Sequence, residues 1–156
     1  MQKIEEKLKK MGIEMPETPI PVAEYLPSVV YDGNKVYVSG QDCRKNGKLL
    51  YEGKLGAELN VEQGKECARQ AILNCLAALK YSIGDFDRVK RIVKVLGFVA
   101  SAPGFGEQPY VINGASELLV ELFGEKGKHA RAALGINELP FGTPVEIEMI
   151  VEIEKE

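Results

Sequence analysis

The chain of 156 residues has a single histidine and three cysteines, Cys43, Cys67 and Cys75, none of them at CxxC spacing. That leaves neither a disulfide framework nor a zinc ribbon. The glycines never fall into GxGxxG or GxxxxGK, so the backbone cradles that hold dinucleotides and nucleoside triphosphates are missing. No stretch approaches the roughly 20 apolar residues of a membrane span. The opening residues, "MQKIEEKLKKMGIEMPE", are charged throughout and lack the apolar segment of a secretory signal, so a cytoplasmic address is expected. An excess of positive charge is also lacking: 20 Lys plus Arg against 23 Asp plus Glu leave a formal charge of -3. Proteins that grip a phosphate backbone carry a basic face; neither nucleic acid nor a membrane is expected as the partner.

What is present is globular. Hydrophobic residues make up 45% and charged residues 28%, and the length suits one domain with a proper core. Residues 1–18 read as a leading helix and linker, and 19–156 as the main body. Ile4, Leu8 and Met11 recur at helical spacing over 2–11, with Gly12 as a stop and Pro16 beyond it. This short amphipathic helix is expected on the surface of the main body. Three prolines between Pro19 and Pro27 favour an extended segment. "VVYDGNKVYVSG" sets two β-rich runs around Asp32-Gly33-Asn34, a hairpin signal, and "NGKLLYEGK" offers a third strand.

Asn60 and Gln63 have the spacing of a capping box, which opens a helix over about 60–83. Its stripe of Cys67, Ala68, Ala71, Ile72, Cys75, Leu76 and Leu79 makes two of the cysteines small buried hydrophobes. The β-branched run "RVKRIVKVLGFVAS" predicts a strand over 88–101. Ala115, Leu118, Leu119, Leu122 and Phe123 then trace a second helix that Gly124 stops. Strands at 131–137 and 145–153 follow. Two helices on one face of a mixed sheet make an α+β architecture.

The other face of that sheet poses the functional question. In the last strand Val145, Ile147, Met149, Val151 and Ile153 share one side, and Glu146, Glu148, Ile150, Glu152 and Glu154 the other. In the strand before it Arg131, Ala133, Gly135 and Asn137 share a side opposite Ala132, Leu134 and Ile136. A polar face that is not fully polar suits packing against copies of the chain, or plain exposure to water. Arg131, read as lying on the face away from the helices, suits one half of a surface or interface salt bridge, for example to a glutamate of the last strand. Glu146 reads as an acid/base or as one more solvated carboxylate. His129, set among charges in "EKGKHAR", is expected to be exposed rather than catalytic. Cys43 is a reactive thiol or a passive neighbour.

The order of "YDGNKVYVSGQ", "ARQAILNCLAAL", "VINGASELLVELFG" and "ARAALGINELPFGTPVEIE" resembles the YjgF/RidA family, whose members are also labelled L-PSP endoribonucleases or translation inhibitors. The likeness runs from about Pro21 to Ile153. It implies a chorismate-mutase-like fold and a homotrimer with a cleft between each pair of neighbours. It also implies an activity that needs no metal and no organic cofactor: hydrolysis of reactive enamines and imines, such as 2-aminoacrylate, to 2-keto acids and ammonia.

By the same resemblance the substrate-carboxylate arginine falls on Arg131, the acidic cleft residue on Glu146, the cleft tyrosine on Tyr25, and the "SGQ" turn on Ser39, Gly40 and Gln41. Three departures stand out. Ala23-Glu24-Tyr25-Leu26-Pro27 replaces the usual Gly-Pro-Tyr-Ser-Gln. Asp42-Cys43 replaces Ile-Pro, and Ala133 stands in the substrate site where a cysteine is common.

These residue types suit the chemistry. A guanidinium is a rigid fork that grips a carboxylate with two parallel hydrogen bonds. A carboxyl group in a semi-enclosed cleft has its pKa raised towards working pH, where it can move protons. Ser39 and Gly40 can offer backbone donors and a close approach. Two other functions compete with imine hydrolysis: binding of a keto acid without turnover, and the ribonuclease activity of the older label. One histidine and an acidic balance argue against the latter.

Overall fold

The computed structural model describes residues 3–155; the first residue of the expected leading helix, Gln2, lies outside them. Helix α1 spans Lys3–Lys10. Its Ile4 and Leu8 are buried in the core, and Lys7 Nζ donates to the Leu122 carbonyl at 3.0 Å. An ion pair between Glu5 and Lys80 fixes its other side. The leading helix therefore docks on the main body, as the apolar stripe of Ile4, Leu8 and Met11 requires.

Strands β1 (Ser28–Tyr31) and β2 (Lys35–Gln41) form the expected hairpin, with Tyr31 opposite Lys35. Asp32 and Gly33 both take positive φ, 53° and 72°, which matches the twist of a tight hairpin. The third expected strand does not join them. Arg44–Lys45 (β3) and Lys48–Leu49 (β4) form their own two-stranded ribbon across Asn46-Gly47. The cause is local: Asp42 Oδ1 accepts from the Arg44 amide at 3.1 Å and turns the chain out of the sheet. Asn74 then clamps the Asp42 and Arg44 carbonyls, each at 2.9 Å, against the next helix.

That helix, α2, covers Val61–Ile83. Its capping box is formed, with the Gln63 amide donating to Asn60 Oδ1 and the Asn60 amide to Gln63 Oε1, both at 2.9 Å. Every residue of the predicted stripe is fully buried. Strand β5 (Val89–Ala100), helix α3 (Gln108–Phe123) and strand β6 (Ala130–Ile136) follow, and β7 (Val145–Ile153) closes the fold. The main sheet has the order β1-β2-β7-β5-β6. Only the β5–β6 pair is parallel, which the crossover through α3 makes possible.

Helices α2 and α3 cover one face of this sheet. Val36, Val38, Ile92, Val95, Val99 and the odd-numbered residues of β7 fill the space between. The architecture is α+β, of the chorismate-mutase-like kind. Among the described residues no helix is long and apolar enough to cross a membrane.

Candidate functional site

Strand β6 lies at the sheet edge, paired with β5 so that Arg131 is level with Val95, Ala133 with Gly97, and Gly135 with Val99. Those three β5 positions point at the helices: Val95 and Val99 are buried, and a Cβ on Gly97 would meet Ile112 of α3. Arg131 therefore lies on the helix side of the sheet, not on the far side where it was expected. A period of two tells which residues of a strand share a face. Which face that is depends on how the α3 crossover sets β6 in register with β5.

Arg131 is half-buried, and its guanidinium is held from α3. Nη1 donates to Asn113 Oδ1 at 2.9 Å and to Ser116 Oγ at 3.2 Å, and Nη2 donates to the Pro109 carbonyl at 3.3 Å. All three acceptors are neutral, and no acid pairs with Arg131 among the described residues. The glutamates of β7 project from the opposite face, which removes the salt-bridge alternative within the chain. A guanidinium oriented by neutral dipoles has its charge available to an anion. Beside it, Ala133 and Gly135 keep the strand low, and Gln108 bounds the recess, its Nε2 donating to the Phe105 carbonyl at 2.8 Å. A Cβ on Gly135 would come within 2.7 Å of that amide, so the glycine is what lets Gln108 lie against β6.

His129 is half-buried in this group rather than exposed. Its Nδ1 lies 2.6 Å from the Gly127 carbonyl and its Nε2 lies 2.9 Å from Ser116 Oγ. Burial lowers its pKa, the Gly127 hydrogen bond opposes that, and the Arg131 charge adds to it. Lys128 pairs with Glu125 and Lys126 reaches the Val89 carbonyl, while Arg131 stays beside the ring; the charged local composition did not show that the imidazole tucks inward. Asn113 and Ser116 were not singled out in the sequence either, although two polar residues three apart inside an apolar helix were a usable signal.

A second group forms on the far face. Glu146 is level with Phe98 of β5 and half-buried. Gly40 presses against it: a Cβ there would stand 2.9 Å from Glu146 Oε2, so glycine is what admits the carboxylate at this spot. The β2–β7 register is irregular between Val38 and Gln41, and Ser39 turns to the preceding segment. Its amide donates to the Pro27 carbonyl at 3.0 Å and its hydroxyl to the Leu26 carbonyl at 2.6 Å. This ties down the segment carrying Tyr25, whose ring stays about half exposed. That segment is irregular, with a bend over 22–25 where a fully extended run was expected.

Burial is the main cause that raises the Glu146 pKa above its ordinary 4.5, and the charges of Asp42 and Glu148 add to it. Asp42 is itself held by Arg44 Nε at 3.0 Å. Cys43, beneath this turn, is fully buried.

Tyr25, Ser39, Gly40 and Glu146 thus form one group and Arg131 and Ala133 another, on opposite faces of the sheet with β5 between their strands. Hollows of about 500 Å³ under α1 and about 160 Å³ beside Lys54 and Glu138 include neither Arg131 nor Glu146. Among the described residues no three His, Cys, Asp or Glu side chains gather as metal ligands would.

A helix-covered mixed sheet with an uncompensated guanidinium in an edge recess defines an α+β protein suited to binding a small molecule. The family follows from comparison: residues 5–152 match the family model described as "YjgF/chorismate_mutase-like, putative endoribonuclease", and the chain belongs to the YjgF/RidA family. It is 43% identical to Protein TCP17 of Trypanosoma cruzi over 94% of this chain and 91% of that one. Among solved structures, one from Shewanella oneidensis, described as a putative endoribonuclease, superposes with a TM-score of 0.93 at 33% identity, covering 97% of this chain and 100% of the other. RidA from an Antarctic Psychrobacter superposes with a TM-score of 0.62 at 28% identity, covering 88% and 94%.

Proposed function

We propose that the protein hydrolyses reactive 2-imino and enamine acids to 2-keto acids and ammonia in the cytoplasm, in clefts between the chains of a homotrimer. The observation that carries this is the Arg131 guanidinium, aimed by three neutral acceptors and, among the described residues, paired with no acid. A charge so placed is costly unless an anion arrives, and a planar carboxylate fits its fork.

The trimer supplies what one chain lacks. The far face of the sheet exposes Val29, Tyr31 and Tyr37 towards one edge and Leu134 and Ile136 at the other, apolar side chains that a neighbouring chain would cover. A neighbour packed there would bring its own edge, with Arg131, to the rim where Glu146, Gly40 and Tyr25 stand. Light scattering should then give a mass three times the 17.2 kDa of the chain.

In such a cleft Arg131 fixes the substrate carboxylate and so the position of the C=N carbon. Glu146, ionised, takes a proton from a water as its oxygen bonds to that carbon. Glu146 then returns that proton to the nitrogen of the tetrahedral carbinolamine; the C–N bond breaks, ammonia leaves, and the carbinolamine hydroxyl gives up its proton to the Glu146 carboxylate as the C=O bond forms. Tyr25 walls the cleft. General acid–base help of this kind is worth about 10² to 10⁴ in rate, enough for an already labile substrate.

The test couples the purified protein to a serine or threonine dehydratase and follows keto-acid release. Wild type should accelerate it, and Arg131→Ala should lose about 10- to 150-fold in efficiency, the scale of one hydrogen-bonded charge. The separation of Arg131 from Glu146 within one chain favours a second reading, a keto-acid-binding protein without turnover. Tight keto-acid binding with no acceleration for any imino acid would establish that reading instead.

A further inference from the structure

Arg131 is not held by Ser116 alone; Ser116 is in turn held by His129, and the three make a chain whose proton positions can be read from donor chemistry. The Gly127 carbonyl can only accept, so His129 Nδ1 carries a proton towards it at 2.6 Å. In the neutral imidazole Nε2 is then bare, and it accepts the Ser116 hydroxyl proton across 2.9 Å. A guanidinium can only donate, so Ser116 Oγ accepts from Arg131 Nη1 at 3.2 Å. Neutral His129 thus holds the serine proton away from the recess.

Protonation reverses one bond. An imidazolium has a hydrogen on Nε2, which must donate to Ser116 Oγ. The oxygen then accepts from both His129 and Arg131, and its own proton is released to find another acceptor. We propose that Ser116 and His129 make Arg131 a proton-switched receptor: charging His129 turns the Ser116 hydroxyl onto the bound carboxylate, so that the anion binds more tightly as pH falls. This rests on the assignment of Arg131 as the substrate-carboxylate site and adds to it a regulation by pH. Ser116 and His129 act through Arg131 and the anion, and are positioning residues.

Charged groups on the elements around His129 engage other partners, and Lys94 of β5, level with Ala130, belongs to the far face of the sheet. Glu125 and Lys128 of the preceding turn pair with each other at 2.6 Å, and Lys126 reaches the Val89 carbonyl at 3.4 Å. Arg91 of β5 donates to the Lys128 carbonyl at 3.4 Å, and Glu117 of α3 lies 3.8 Å from Lys65. Arg131 is the charged neighbour that acts on the imidazole, and with burial it keeps His129 neutral at neutral pH. A bound carboxylate would offset the Arg131 charge. Anion and proton therefore favour each other, and by linkage each raises the affinity for the other by the same factor.

The chain has one histidine, so a single imidazole C2–H signal in the proton NMR spectrum reports this site. The experiment titrates that signal against pH on the full-length protein, without and with saturating pyruvate. It is accompanied by pyruvate dissociation constants for wild type, Arg131→Ala, Ser116→Ala and His129→Gln across the same pH range. The expected result is a histidine pKa raised by pyruvate, and a wild-type affinity that increases about threefold to tenfold as pH falls through it, the scale of one charge-assisted hydrogen bond. In Ser116→Ala the pyruvate-induced shift shrinks, and in His129→Gln the affinity no longer depends on pH in this range.

Pyruvate that binds through Arg131 while the histidine pKa stays put would overturn the switch and leave the carboxylate site standing. Pyruvate that fails to bind, or binds equally well to Arg131→Ala, would overturn both. The wild-type titration decides even where a variant fails to fold.

Discussion

Glu146→Gln is expected to reduce turnover of a 2-imino acid by about 10² to 10⁴, the contribution of a positioned proton carrier, while keto-acid binding at Arg131 persists. The side chain keeps its shape and its place against Gly40, so the loss reports the proton and not the packing. The pH profile checks the assignment. Burial first, and then Asp42 and Glu148, lift the carboxyl above its ordinary 4.5, and the step that attacks carbon needs the ionised form. The efficiency of the wild type should rise with pH through a value above 4.5, and the variant should lack that limb.

Stability should move the other way. A carboxyl whose folded pKa lies above its unfolded one favours the fold below the unfolded pKa, and that contribution is lost as pH rises through the folded value. The glutamine variant should therefore melt higher than wild type at neutral pH and not at pH 4. A variant that is slower yet more stable is the sign of a group kept for chemistry. An unchanged rate, or an acid limb that survives in Glu146→Gln, would remove Glu146 from the mechanism.

Gly114→Ala is expected to be strongly destabilising for so small a change. A Cβ at this position of α3 would stand 2.2 Å from the Lys65 carbonyl oxygen of α2, and backbone cannot step aside as a side chain can. The two helices must part, and overpacking of this kind costs about 3 kcal/mol. The better helix propensity of alanine returns at most about 1 kcal/mol, so the clash wins. For a chain of this length the net should lower Tm by roughly 4–8 °C, read by thermal unfolding. Gly106→Ala, where an added Cβ meets nothing within 4 Å, is the control and should leave Tm in place. Because α3 also carries Asn113 and Ser116, Gly114→Ala should loosen Arg131 as well and weaken keto-acid binding.

Much of the fold was legible in local pattern. The capping box at Asn60, the stripe from Cys67 to Leu79, the Asp32-Gly33 hairpin and the glycine stops at Gly84 and Gly124 are short-range signals, and each took the form it implied. The segment around Lys48 misled because two β-prone residues were too few to compete with the Asp42 turn and the Asn74 clamp. His129 misled because only the fold shows that it tucks against Gly127 and Ser116, beside Arg131. The candidate site residues could be named from the resemblance, and Gly40 against Glu146 shows why a glycine belongs in that turn.

Sequence by itself determined the main elements, the apolar faces of α2, α3 and β7, and the family, because periodicity and capping are written in residues a few positions apart. Tertiary structure alone decided that Arg131 looks towards α3 and Glu146 away from it, and that Asn113, Ser116 and His129 stand around the guanidinium. Those facts depend on the parity of β6 against β5, set by a crossover whose register no local pattern encodes.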